Sequence, residues 1–149
     1  TKIIGLRFFT VYGPWGRPDM MIMKYLIASK KKIIFSLFNK GDHYRDFTYI
    51  DDAINICEQL INKKFRKKFD IFNICSSNPL LITKVIKEIN KYSKKPIVIK
   101  KPRDKADVYK TYGNNKKIQN YLNKKLEFTD YKKGIEKTCI WYLKNYQLL

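Results

Sequence analysis

The chain has 149 residues, enough for one domain with a core, and its apolar content is that of a folded globular protein. Lysine and arginine number 32 against 13 acidic residues, a formal net charge of +19 at pH 7. No uncharged apolar run approaches the roughly 18 residues that a membrane span needs, which argues against a transmembrane segment.

The positive charge is mostly lysine spread over nearly every segment, with guanidinium groups only at Arg7, Arg17, Arg45, Arg66 and Arg103. Base and phosphate recognition favours arginine's planar fork, so this excess reads as a solvated surface that attracts polyanions without sequence preference. A specific nucleic-acid partner is not expected, although a basic nucleic-acid-binding module is the alternative from a different functional class. His43 is the single histidine, which argues against a histidine-based zinc site, and no metal is expected. Cys57, Cys75 and Cys139 lie far apart without Cys-x-x-Cys spacing and read as reduced core thiols of a cytoplasmic protein.

In chain order, residues 3–9 form an apolar strand that breaks into a Gly/Pro loop at 10–19 holding Tyr12, Trp15 and Arg17. Residues 20–31 have helical apolar spacing and a lysine-rich end that suits the helix dipole. A strand follows at 33–38, then a turn at 39–42. A short strand within 45–50 leads into a helix capped by Asp51 or Asp52, with Ala53, Ile56, Cys57, Leu60 and Ile61 on its apolar face. A basic loop at 63–68 precedes a central strand at 69–75, stopped by Ser76-Ser77-Asn78-Pro79. Thr83 is a candidate N-cap for a helix presenting Val85, Ile86, Ile89 and Tyr92. A strand at 96–99, a polar loop at 101–113, a helix from Asn114 or Asn115 to Leu122 and a last helix from Thr129-Asp130 complete the chain. Strands alternating with helices predict an α/β fold.

A strand that feeds a glycine-rich loop is where α/β proteins present ligand groups, and the segment 5–19 has that form. Thr10 and Arg17 stand either side of the Gly13-Pro14-Trp15-Gly16 bend, so the loop can fold both toward one anion. An arginine fork and a threonine hydroxyl together suit a carboxylate. The adjacent Asp51 and Asp52 read as helix-start residues rather than an acid–base pair.

The words of three segments resemble one family. Arg7-Phe8-Phe9-Thr10-Val11-Tyr12-Gly13-Pro14-Trp15-Gly16-Arg17-Pro18-Asp19-Met20 and Arg45-Asp46-Phe47-Thr48-Tyr49-Ile50-Asp51-Asp52 are similar to segments of the NAD-dependent nucleotide-sugar epimerases and dehydratases, the extended short-chain dehydrogenases. The Gly16-to-Met20 ending resembles the UDP-glucuronate 4-epimerase branch. Segment 102–114 resembles the family less closely: Asp107-Val108 and Thr111-Tyr112 align, while Ala106 replaces a glycine, Asn114 an aspartate, and Asp104 stands where arginine or glutamine is frequent.

The resemblance covers the family's C-terminal portion. It implies the substrate-binding part of an α/β enzyme, with the last Rossmann-sheet elements and without the N-terminal NAD-binding half. No Gly-x-x-Gly-x-x-Gly follows a strand here, and the catalytic Tyr-x-x-x-Lys is expected upstream of Thr1. Tyr121 and Lys125 have that spacing but break across a predicted helix end.

The implied roles are specific. Phe8 and Phe9 flank the NAD nicotinamide. Thr10 and Arg17 hold the sugar carboxylate, and Ser36 and Phe38 meet the uracil. Arg45 and, less securely aligned, Arg103 contact diphosphate, while Asp107 binds the ribose. The implied activity is interconversion of UDP-glucuronate and UDP-galacturonate through a 4-keto intermediate, in an enzyme that is a homodimer when complete. Another epimerase, decarboxylase or dehydratase of the family is the alternative, and this portion alone is expected to be inactive.

Overall fold

The computed structural model describes residues 1–65, 67–103 and 107–148. In chain order the elements are β1 (Ile3–Phe8), β2 (Thr10–Tyr12), α1 (Met21–Lys31), β3 (Ile34–Phe38), β4 (Tyr44–Tyr49), α2 (Ile50–Ile61), β5 (Phe69–Ile74), β6 (Pro79–Leu81), α3 (Ile82–Ile89), β7 (Ile97–Lys101), α4 (Lys116–Leu122) and α5 (Tyr131–Asn145). The fold is α/β. Among the described residues it has three small sheets: β1 pairs in parallel with β5, β3 in parallel with β7, and β4 lies between parallel β2 and antiparallel β6.

Two apolar cores hold the elements. One gathers α1, α3 and α5 around β3 and β4, with Tyr25, Leu26, Phe35, Phe47, Val85 and Ile135 fully or nearly buried. The other packs α2 and α4 on β5 through Ala53, Ile56, Leu60, Phe72, Ile74 and Ile118. The Tyr25 hydroxyl donates to Asn90 Oδ1 at 2.8 Å, tying α1 to the end of α3.

Two strands escape the sequence reading because both are three residues long and depend on β4, which is distant in sequence. β2 runs Thr10 opposite Phe47 to Tyr12 opposite Tyr49. β6 opens on Pro79, which has no N–H to donate and suits the start of an edge strand.

The expected caps at the α2 and α3 starts are also corrected. Tyr49 and Leu81 occupy those N-cap positions in extended conformation, without a side-chain cap. Asp51 and Asp52 lie in the first turn of α2, where negative charge suits the dipole. Asp52 reaches across the molecule instead: its Oδ2 accepts from the Thr129 N–H at 2.9 Å and its Oδ1 from the Thr129 hydroxyl at 2.8 Å. Asp130 caps α5 as expected, accepting from the Lys132 N–H at 3.0 Å. Asn114 accepts from the Lys116 N–H at 2.9 Å at the start of α4. Ile61, assigned to an apolar face, is 83% exposed at the last residue of α2, past the reach of the core.

Candidate functional site

Strand β4 divides two environments. Alternate residues of a strand face opposite ways, and here His43, Arg45 and Phe47 line a cleft of about 250 Å3. Asp46 and Thr48 point to the other side and are fully buried. The cleft is closed by Thr10 of β2, by Ser36 and Phe38 of β3, and by Asp107 from the segment after β7. Five of the residues expected to bind substrate therefore share one cavity although they span 98 positions of the chain, from Thr10 to Asp107.

Arg45 is the most constrained of them. One guanidinium nitrogen donates to the Tyr44 carbonyl at 2.8 Å and the Val108 carbonyl at 2.7 Å, and the other pairs with the Asp107 carboxylate. Its side chain keeps 16% exposure, and that of Asp107 keeps 41%. A guanidinium held this way is pre-oriented for an anion entering the cleft. Arg103 stands outside the cleft, exposed, donating to the Asp107 carbonyl at 3.2 Å. The departures noted at Asp104 and Ala106 fall outside the described residues.

Thr10 and Arg17 do not share a cavity. Gly13 has φ +146° and packs so tightly on Ile50 that a Cβ there would overlap the isoleucine. The chain turns sharply at Gly13, and Trp15 meets Trp141 at a tilt of 57° with ring centroids 5.1 Å apart. Arg17 is carried to a second, larger cleft of about 570 Å3 shared with Phe8, Phe9, Ile50, Ile54 and Cys57. Met20 borders both clefts. Arg17 is exposed and paired with Asp19 at 2.6 Å; the pairing holds the aspartate below its usual range and raises the arginine further. In this second cleft Phe8 is 52% exposed, beside Phe9 and Val11. Such a half-covered aromatic wall fits the face of a flat heteroaromatic ring.

The buried side of β4 is a polar network that the sequence reading leaves unassigned. Asp46 accepts from the Ser76 hydroxyl at 2.7 Å and from the Gly113 N–H at 2.8 Å, while its own N–H donates to the Thr111 hydroxyl at 3.0 Å. The Thr48 hydroxyl accepts from the Ser76 N–H at 3.1 Å. Asn115 donates to the Cys75 carbonyl at 2.9 Å. These bonds fasten residues 111–115, a few positions after Asp107, against the ends of β4 and β5. Counting by two from Arg45 separates the cleft residues from the network residues, a signal present in the sequence.

Neither pair with tyrosine-to-lysine spacing has the form of a helical catalytic pair. Tyr121 and Lys125 are separated by the left-handed Asn123 at the end of α4, and Tyr112 and Lys116 straddle Gly113 ahead of that helix. Among the described residues no cluster of three His, Cys, Asp or Glu side chains could hold a metal, and no helix is long and apolar enough to cross a membrane.

Residues 1–75, half of the chain, match the model of the NAD dependent epimerase/dehydratase family. The chain belongs to this family. The matched stretch contains Thr10, Arg17, Ser36, Phe38 and Arg45, whereas Arg103 and Asp107 lie beyond it. The uncharacterized protein MJ1055 of Methanocaldococcus jannaschii is 39% identical over 147 residues, covering 97% of this chain and 44% of the relative. UDP-glucuronate 4-epimerase 4 of Arabidopsis thaliana is 35% identical over 162 residues, covering 97% of this chain and 37% of the relative. Among solved structures, UDP-glucuronic acid 4-epimerase from Bacillus cereus, in complex with UDP-glucuronic acid and NAD, has a TM-score of 0.83 at 26% identity, over 95% of this chain and 45% of that one. The chain thus spans less than half the length of these relatives.

Proposed function

We propose that this chain is the nucleotide-sugar-binding portion of a UDP-sugar 4-epimerase acting on UDP-glucuronate and UDP-galacturonate. The observation that carries the reading is the convergence of Thr10, Ser36, Phe38, Arg45 and Asp107 on one cleft. The names of the Arabidopsis and Bacillus relatives support the choice of sugar. In this reading Ser36 and Phe38 border the base, Asp107 takes the ribose hydroxyls, Arg45 grips the diphosphate and Arg103 adds charge outside the cleft. Thr10 and Arg17 approach the sugar carboxylate from either side of Met20. The Arg17–Asp19 pair is exposed, and such pairs contribute little, so Arg17 can exchange that partner for a substrate carboxylate at small cost.

Phe8 and Phe9 would hold the nicotinamide end of NAD against the aromatic wall of the larger cleft. When bound, NAD supplies hydride removal and return at the sugar carbon. The catalytic tyrosine and lysine and the pyrophosphate loop belong, in this proposal, to a further portion of the enzyme, so that residues 1–149 bind substrate without turning it over. The complete enzyme is proposed to be a cytoplasmic homodimer; the three free thiols fit a reducing compartment.

Titration of the chain with UDP-glucuronate and with UDP-glucose tests the reading. Arg45→Ala should weaken both by tenfold or more, and Arg17→Ala should weaken UDP-glucuronate about tenfold and leave UDP-glucose unchanged. Equal losses for both sugars in Arg17→Ala would remove the carboxylate role. Absence of UDP-sugar binding would remove the whole assignment.

A further inference from the structure

His43 lies on the cleft wall with a polar atom that has nothing to bind. Its Nδ1 is buried and has no hydrogen-bond partner among the described residues. Leaving a buried polar atom unpaired costs about 1–3 kcal/mol, so a native fold rarely keeps one without a use. The ring sits one residue ahead of β4, two before Arg45, and borders the same cavity. The backbone around it is fixed, since the His43 carbonyl accepts from the Ile82 N–H at 3.0 Å at the start of α3.

We propose that His43 is a nucleotide ligand, its imidazole turning on binding so that Nδ1–H donates to a phosphate oxygen of the UDP group that Arg45 holds. This rests on the UDP-sugar reading above. The Arg45 guanidinium, two residues on and lining the same cleft, is what points to phosphate. The charged groups that act on the imidazole are Arg45 on β4, Asp42 just before it and Asp107; Lys24 from α1 and Asp19 from the loop ahead of it line the same cleft, and β3 contributes no titrating group. Burial and the neighbouring guanidinium lower the histidine below its ordinary range, against a smaller upward pull from Asp107 and Asp42. The free ring therefore holds a proton less readily than an ordinary imidazole. A diphosphate arriving beside it screens Arg45 and favours the imidazolium, so binding takes up a proton.

Because the chain has one histidine, its imidazole C–H resonances can be followed by NMR without assignment. The measurement is a titration from about pH 5 to about pH 8.5 of the free chain, of the chain saturated with UDP-glucose, and of the chain with uridine. UDP-glucose is the probe because its diphosphate diester keeps a constant charge over that range. The titration midpoint should rise by about one pH unit with UDP-glucose and stay in place with uridine. By linkage, UDP-glucose should bind about five- to tenfold tighter at the acid end than at the alkaline end.

His43→Phe should lose about tenfold in affinity. His43→Asn, whose amide can donate from the Nδ1 position, should match the unmodified chain near pH 8 and lose the gain at low pH. A midpoint that stays fixed with UDP-glucose bound, or that moves equally with uridine, overturns the phosphate contact while leaving the UDP-sugar reading intact. Failure of the unmodified chain to bind UDP-glucose at either end of the range overturns both. The wild-type titration decides the matter even if a variant fails to fold.

Discussion

Replacing Asp46 by asparagine tests whether the hidden side of β4 holds the substrate cleft together. The carboxylate is fully buried and accepts from two neutral donors, the Ser76 hydroxyl at 2.7 Å and the Gly113 N–H at 2.8 Å. Asparagine keeps the shape but has one acceptor oxygen, so one donor is left facing an NH2 group. An unsatisfied buried donor costs about 1–3 kcal/mol, and bonds to a charged acceptor are the stronger kind. Against this, asparagine removes the desolvation penalty of a buried charge, which returns part of the loss. The net expectation is destabilisation of about 2 kcal/mol, or about 4–8 °C in Tm for a chain of this size. Asp46→Ala strands both donors and should cost about twice as much.

Thermal unfolding followed by circular dichroism, with equilibrium urea unfolding alongside, gives both numbers. UDP-glucose affinity should fall in the folded Asp46→Asn variant, because residues 111–115 carry the segment that presents Asp107. A variant as stable as the parent or more so would show that desolvation outweighs the two bonds, and the network could not be what anchors that segment.

Two further substitutions probe other joints of the fold. Gly134 of α5 lies so close to Tyr12 that an added Cβ would overlap the tyrosine hydroxyl and stand 3.0 Å from its Cζ. Gly134→Ala should therefore destabilise by about 1–3 kcal/mol despite alanine's better helix propensity, read as a lower urea midpoint; an unchanged midpoint would show that Tyr12 can move aside. Asp70 is held at about 2 by Lys117 and Lys67. A carboxylate lowered in the folded state stabilises it above the ordinary carboxylate range, and that contribution disappears as pH falls through about 2. Asp70→Asn should thus lower Tm near neutral pH and converge with the parent near the acid limit; an equal gap at both pH values would exclude the linkage.

Much of the fold was legible from periodicity and punctuation. The strands at 3–8, 34–38 and 69–74 and the five helices stand within a few residues of the positions their apolar spacing predicts. What failed depended on partners far along the chain. The three-residue strands β2 and β6 exist only because β4 lies between them. Asp52, an ordinary cap candidate in the sequence, is taken up by Thr129, 77 residues later. In the site, the strand and motif words brought Thr10, Ser36, Phe38, Arg45 and Asp107 together. Loop length alone does not say which way Arg17 turns, because Gly13 and the tilted Trp15–Trp141 contact set that direction. A lone histidine in sequence suggests no role beyond a metal ligand. Asp46 carries no such signal, since a carboxylate in a charged word gives no sign of being buried.

The two-sided construction of β4 has a consequence for how this protein can change. His43 and Arg45, on the cleft side, can be exchanged with the effect falling mainly on what the cleft accepts, while Asp46, Thr48 and the core residue Phe47 keep the architecture. Point substitution can thus explore new ligands without renegotiating the fold. A single inserted or deleted residue has no such freedom. It would trade the two faces at once, turning the buried acid toward solvent and the guanidinium toward the network. The lineage is free to vary the letters of this strand but not its length.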